Sequence, residues 1–201
     1  MNYAKCMEKL RSIKDVAFAT VDSKGRVRNR IIDIMIAQGE NIYFCTARGK
    51  DFYSELMLNK RVAIVGMNKQ YQMIRLEGKA KKVENQKYWI DKIFDENPSM
   101  CDVYPEKSRY ILEAFCIVDG NCEFFDLGVN PIYRASFNQG NEGAIDRKKF
   151  YINDNCISCG KCVSICPQQC IKEFIIDQSH CLHCGLCLET CKFKGITRKE
   201  V

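Results

Sequence analysis

The chain has 201 residues, 46% of them hydrophobic and 28% charged, which is enough to bury a core and excludes a disordered or fibrous class. Its most apolar stretch, 31–37, is seven residues long and broken by Asp33, whereas a bilayer span takes about 20. The start MNYAKCMEKL has no apolar signal-peptide region, so a membrane or secreted destination is not expected. The formal charge of +6 invites a nucleic-acid reading, but no block of five or more like charges occurs.

Tyr3, Met7, Leu10 and Ile13 stand at helical spacing and predict a short amphipathic helix in the first 14 residues. Strand-like runs follow at 16–21 and 26–37, joined by the turn Asp22-Ser23-Lys24-Gly25. A second turn, Gln38-Gly39-Glu40-Asn41, leads into 41–46, which makes an antiparallel meander. Residues 51–59 read as a helix capped by Asp51. Strands are expected at 61–67 and 71–83, and a helix at 85–96 ending before Asn97-Pro98. The runs 109–118 and 122–127 read as a hairpin across Asp119-Gly120-Asn121. Six or seven strands with two or three helices predict a mainly β fold with α, a small closed antiparallel barrel. From 128 the pattern fades. Asn130-Pro131 and the polar stretch 138–143 mark a connector. The expected division is a barrel at 1–128, a connector at 129–149 and a tail domain at 150–201.

Cysteine is the outlier, with 14 in the chain and nine of them between Cys156 and Cys191. A disulfide scaffold would be shorter and stapled throughout, so the crowding points to a metal-binding tail in a reducing, cytoplasmic compartment. Cys156, Cys159, Cys162 and Cys166 recur 25 residues later as Cys181, Cys184, Cys187 and Cys191. Gly160 recurs as Gly185, Val163 as Leu188 and Ile171 as Ile196. Each copy spells C-x2-C-x2-C-x3-C, the spacing of 4Fe-4S ligation. Three thiolates within seven residues wrap three corners of one cuboidal cluster, and the fourth reaches the other cluster. This assigns Cys156, Cys159, Cys162 and Cys191 to one 4Fe-4S cluster, and Cys181, Cys184, Cys187 and Cys166 to a second. Zinc sites instead pair two C-x2-C hooks from separate turns. Two oxidised clusters lower the formal charge to about +2, which removes the nucleic-acid argument.

Along 150–199 the tail resembles bacterial two-cluster ferredoxins, a small α+β iron–sulfur domain, with Pro167 after Cys166 as that pattern expects. It departs at Lys192, where the first copy has Pro167, and at Cys170, where such domains often carry a small residue. Cys170 reads as a packed apolar group rather than a ninth ligand. His180 and His183 read as surface residues beside the second loop.

The first 128 residues contain no Walker loop, no G-x-G-x-x-G and no histidine. Arg26, Arg28 and Arg30 share one strand face, and Thr46-Ala47-Arg48-Gly49-Lys50 runs from a strand end into a helix start. Together they can make an anion site, or the arginines can be a plain solvated face. The order of these features, with Arg61-Val62-Ala63-Ile64 and Arg75-Leu76-Glu77-Gly78-Lys79-Ala80 after them, resembles the pyridoxamine 5′-phosphate oxidase-like, FMN-binding split-barrel family. The resemblance implies an FMN whose phosphate is gripped by Arg30, Thr46 and Lys50, with Arg28 and Arg48 as helpers, and a homodimer formed through the barrel. This chain carries cluster motifs where vitamin-oxidising relatives have a substrate-closing C-terminal segment, which points away from pyridoxamine phosphate oxidation itself. The lone Trp89 reads as helix packing.

Flavin stores two electrons and clusters pass one at a time, so the combination implies an FMN oxidoreductase with a built-in two-cluster wire. Its redox partner is a protein or a small-molecule acceptor. No catalytic acid, base or nucleophile stands out. A non-enzymatic electron carrier and an iron–sulfur redox sensor are the alternatives.

Overall fold

The computed structural model describes residues 1–141, 143–145 and 148–200. Of the predicted connector 129–149, Glu142, Asp146 and Arg147 lie outside the described residues. Two units are present. The first comprises Met1–Asn68, Met73–Cys122 and Phe137–Gly143; the second comprises Lys69–Gln72, Glu123–Ser136 and Ala144–Val201. The predicted connector is therefore shared between them.

In the first unit, helix α1 (Tyr3–Ile13) starts at Asn2, whose side chain accepts the Lys5 N–H at 2.9 Å. It buries Tyr3, Cys6, Met7 and Leu10, the stripe that the helical period marks. Then come β1 (Asp15–Val21), β2 (Val27–Asp33), β3 (Ile36–Gln38) and β4 (Asn41–Ala47). The predicted single strand at 26–37 is two. At Ile34 the chain leaves the β1 side, where its N–H meets the Lys14 carbonyl, and Met35 N–H bonds Tyr43 on β4. Ile34-Met35-Ile36-Ala37 are all apolar, so no turn residue marks the exchange of partners.

Helix α2 (Asp51–Leu58) follows, then β5 (Arg61–Met67), β6 (Gln72–Lys82), α3 (Gln86–Glu96), the short α4 (Met100–Val103), a 3₁₀ turn (Glu106–Ile111), β7 (Leu112–Asp126) and β8 (Tyr133–Asn138), of which the end of β7 from Glu123 and the start of β8 through Ser136 count with the second unit. Asp51 does not cap α2: extended Lys50 is the cap residue, without a side-chain cap bond, and Asp51 opens the first turn. A carboxylate there still complements the helix dipole. The curled antiparallel sheet runs β2-β1-β5-β6-β7-β4-β3, with β8 also on β7.

The predicted hairpin at 109–127 is one 15-residue strand, β7. Asp119-Gly120-Asn121 is a kink inside it, with Asp119 at φ 53° and the Gly120 N–H turned to Gln139 Oε1 at 3.1 Å. A Cβ on Gly120 would fall 1.8 Å from the Tyr3 hydroxyl, so glycine is needed where α1 crosses the strand.

An aromatic cluster fills the concave face, with Phe18 5.0 Å and Phe115 5.7 Å from Phe44, centroid to centroid. On the α3 side, Met35, Tyr43, Ile90, Ile93 and Phe94 are buried together. Trp89 stacks on Tyr43 at 4.0 Å, as a packing residue does.

In the second unit, β9 (Lys148–Ile152) pairs with β12 (Ile196–Glu200), and β10 (Ile171–Lys172) with β11 (Ile175–Ile176). Between them lie two one-turn helices, α5 (Lys161–Ile165) and α6 (Leu186–Thr190). Each starts from a glycine in left-handed conformation, Gly160 at φ 72° and Gly185 at φ 82°. That backbone is the reason for glycine at both positions, because a Cβ there would meet nothing within 4 Å. The segment before β9 packs on this unit: Ile132 N–H bonds Gln168 Oε1, and Arg134 bonds the Ser179 and Cys181 carbonyls and pairs with Glu123. No helix among the described residues is long and apolar enough to cross a membrane.

Candidate functional site

The second unit brings the cysteines together in two sets. One cavity is lined by Cys156, Cys159, Cys162 and Cys191, with Ile152, Phe174 and Phe193 among the apolar walls. The other is lined by Cys166, Cys181, Cys184 and Cys187, with Cys170 beside them. Each cavity thus holds three cysteines of one copy and the last cysteine of the other. The helices explain the crossing. A one-turn helix separates the third cysteine of each loop from the fourth and carries the fourth to the opposite cavity.

Backbone amides already point at the sulfurs. Ser158 N–H donates to Cys156 Sγ and His183 N–H to Cys181 Sγ, each at 3.4 Å, and Gly195 N–H donates to Cys191 Sγ at 3.2 Å. Such bonds favour the thiolate form that an iron–sulfur cluster requires. A Cβ on Gly195 would stand 3.0 Å from Cys156 Cα, so the chain closes tightly around the first cavity. Among the described residues, no three His, Cys, Asp or Glu side chains gather about a single ion position. Four thiols spread around a cavity match the corners of a cuboidal cluster. The donor set and its amides therefore fit 4Fe-4S clusters.

The histidines differ from the sequence reading. His183 is half-buried with both ring nitrogens shielded, its ring 5.8 Å from Phe150, and half-buried His180 Nδ1 pairs with Asp177 at 2.8 Å. Their apolar and acidic neighbours lie outside the loop motif, so the motif alone gave no sign of this.

In the first unit, Thr46 is next to last in β4, opposite Glu113 of β7, and its buried Oγ1 has no hydrogen-bond partner among the described residues. Arg48 Nη1 bonds the Tyr110 carbonyl at 2.9 Å and lies 3.7 Å from Glu113 Oε1. Lys82 Nζ sits 2.7 Å from Glu113 Oε2. Burial pushes the Glu113 carboxyl up, but hydrogen bonds from Lys82 and Tyr53 outweigh it and hold it below its ordinary range. Tyr53, bonded to the same carboxylate and desolvated, is pushed up, and Lys82 is raised by its bond to Glu113. Lys82, Tyr53 and Glu113 were not picked out from the sequence, since they come from three elements and share no motif. Lys50 stands at the head of α2, its ammonium without a partner among the described residues.

The arginine strand is placed differently. Arg28 Nε pairs with Asp22 at 3.1 Å, as Arg26 does at 2.8 Å, on the solvent side of the β1–β2 turn. Arg30 Nη1 donates to Thr20 at 2.7 Å and Nη2 to Glu55 of α2 at 2.6 Å, and its guanidinium covers the Phe52 ring at 4.5 Å. Arg30 thereby ties β2 to the helix that Lys50 heads. Thr46, Arg48 and Lys50 share the short β4–α2 connection, whereas Arg28 and Arg30 are held by their own acidic partners.

Residues 4–100 match the pyridoxamine 5′-phosphate oxidase family, and residues 150–172 match the 4Fe-4S binding domain. Among solved structures, the chain is similar to a NimC/NimA family protein from Clostridium acetobutylicum, with TM-score 0.56, 18% identity, and coverage of 68% of this chain and 94% of that one. A second protein of that organism, related to general stress protein 26 and assigned to the pyridoxinephosphate oxidase family, gives TM-score 0.53 and 11% identity over 68% and 96%. PhzG from Burkholderia lata gives 0.50 and 16% over 69% and 82%. These likenesses show a shared fold. No curated protein matches the chain. The half-barrel sheet and the two matches agree, and the chain joins a domain of the pyridoxamine 5′-phosphate oxidase family at 4–100 to a 4Fe-4S binding domain at 150–172.

Proposed function

We propose that this chain is an FMN-dependent oxidoreductase whose second unit holds two 4Fe-4S clusters and passes electrons between them and a flavin on the first unit, serving a small-molecule or protein acceptor. The observation that carries this reading is the crossed cysteine lining of the two cavities, three from one copy and one from the other in each case. Cys156, Cys159, Cys162 and Cys191 would hold one cluster, and Cys181, Cys184, Cys187 and Cys166 the other. Bound there, the clusters supply single-electron transfer and the flavin supplies two-electron storage.

On the first unit, the unpartnered Thr46 hydroxyl and the free Lys50 ammonium at the head of α2 suit the flavin phosphate, and Arg48 adds charge beside them. Arg30 contributes by fixing α2 through Glu55, and Arg28 by the charge of the neighbouring turn. Val27, Ile31 and Met67 are exposed on β2 and β5, an apolar surface that suits a second copy of the chain.

The test is anaerobic purification followed by metal, sulfide and flavin analysis. About eight iron and eight acid-labile sulfide per chain, with one FMN, are expected, together with a dithionite-induced EPR signal from two interacting centres. Turnover of an artificial acceptor under the same conditions separates an enzyme from a carrier or a sensor. Zinc without sulfide would overturn the cluster assignment, and flavin-free protein that FMN cannot reconstitute would overturn the rest.

A further inference from the structure

The two copies of the cysteine motif repeat their backbone as well as their sequence. Ser158 and His183, 25 residues apart, share φ near 55°, and Gln169 and Lys194, also 25 apart, share φ near 50°. Gln169 N–H bonds the Cys166 carbonyl at 3.1 Å, and Lys194 N–H bonds the Cys191 carbonyl at 3.2 Å. The next residue in each copy plays one backbone role: the Cys170 carbonyl accepts from Asp177, and the Gly195 carbonyl from Asn153. Cys170 and Gly195 are thus structural equivalents.

Their side chains break the symmetry. At the first cavity, Gly195 lies flat against Cys156, and a Cβ there would come within 3.0 Å of it. At the second cavity the same place carries a thiol. Cys170 is 6% exposed, its Sγ is 3.5 Å from Cys166 Sγ, and it packs in one buried cluster with Cys181. The other eight tail cysteines, four at each cavity, suffice as ligands for two clusters. What Cys170 adds is one S–H donor against the sulfur of Cys166, with no counterpart at the twin site. Hydrogen bonds to cluster sulfurs stabilise the reduced, more negative state and raise the potential.

We propose that Cys170 is a positioning residue that makes the two clusters inequivalent, its thiol donating to the Cys166 thiolate and raising the reduction potential of the cluster held by Cys166, Cys181, Cys184 and Cys187. The inference rests on the two-cluster reading above. Lys161 and Lys192 line the first cavity and act on the other cluster, so the comparison that isolates Cys170 is between variants at one site.

The experiment is an EPR-monitored potentiometric titration of anaerobic, full-length wild type, Cys170→Ala and Cys170→Ser. In Cys170→Ala one of the two potentials should fall, with the reduced-to-oxidised ratio at fixed potential changing by up to about tenfold, or ~59 mV for one electron. The other potential should stay in place. Cys170→Ser keeps a donor in nearly the same volume and should restore the lower value toward wild type. If Cys170→Ala does not assemble, Cys170→Val is an apolar replacement with the same expected outcome. Unchanged potentials in a variant that retains eight iron would overturn this inference alone. Loss of about half the iron in Cys170→Ala would also overturn it, by making Cys170 a ligand. Wild-type protein without eight iron and sulfide would instead bring down the two-cluster reading.

Discussion

A guanidinium between a hydroxyl and a carboxylate behaves differently from one waiting for a ligand, and Arg30 is of the first kind. Its partner Glu55 is buried, so Arg30→Ala removes the ion pair, leaves the carboxylate with the Thr20 hydroxyl alone and loosens α2. Breaking such a pair from one side costs up to about 3–5 kcal/mol when fully buried, and less here, where Arg30 is partly open to water. Lys50 has no such partner among the described residues, which makes it the cleaner probe of phosphate binding. One charge-assisted hydrogen bond is worth about 1.5–3 kcal/mol, so Lys50→Ala should weaken FMN about 10- to 100-fold and leave riboflavin nearly unchanged. Paired fluorescence titrations decide it; equal losses for both flavins would show that Lys50 does not meet the phosphate. Arg30→Ala should instead lower the melting temperature and weaken both ligands together. Glu113 offers a pH test. Its carboxyl is held low in the folded state, so its contribution is present above the ordinary carboxylate range and is lost as pH falls through the lowered value. Glu113→Gln should cost at most about 1 kcal/mol near neutrality, and wild type and variant should converge in acid denaturation profiles.

At the scale of elements, β7 carries the largest difference from the sequence reading. Asp119-Gly120-Asn121 has the composition of a turn, yet the strand continues past a kink there because Gly120 makes room for Tyr3 of α1. The Tyr3 hydroxyl is buried without a hydrogen-bond partner, and burial pushes its ionisation up. Tyr3→Phe should therefore be neutral or mildly stabilising. Gly120→Ala should destabilise by about 1–3 kcal/mol, and by clearly less in the Tyr3→Phe background. Additive denaturant midpoints across the four proteins would show that the contact between them is not the cause. A continuous β7 also keeps Cys116 and Cys122 apart along one strand, by at most about 20 Å at roughly 3.3 Å per residue. A hairpin would have brought them together. Cys122 instead neighbours Cys6 of α1. Peptide mapping of alkylated protein should find no Cys116–Cys122 link, and any mild oxidation product at Cys122 should involve Cys6.

For the whole molecule, metal content and charge are linked. Two clusters with their thiolates would take the formal charge from +6 to about +2, and a bound flavin phosphate would take it to about zero. Holoprotein should therefore elute earlier than apoprotein from a cation exchanger at neutral pH, since it is less positive. Identical elution of iron-loaded and iron-free protein would contradict clusters on eight thiolates. A second measurement concerns assembly. The exposed Val27, Ile31 and Met67 should be covered by another copy, so light scattering should give twice the 23.2 kDa chain mass. Ile31→Lys should shift the mass toward the monomer.

The sequence alone determined the parts whose information is local. Eight cysteines at fixed intervals specify two loops whose thiols line two cavities, because the spacing itself sets how far each thiol reaches. The stripe of Tyr3, Met7 and Leu10 specifies the buried face of α1 for the same reason. The tertiary structure decided what depends on residues far apart in the chain. The exchange of partners at Ile34, the continuous course of β7, the pairing of Arg30 with Glu55 and the gathering of Lys82, Tyr53 and Glu113 all involve partners on separate elements. Cys170 belongs to both classes. Its place in the repeat is legible in the sequence, but only packing sets its thiol against Cys166, because only the folded chain brings the end of one loop onto the other loop's cavity.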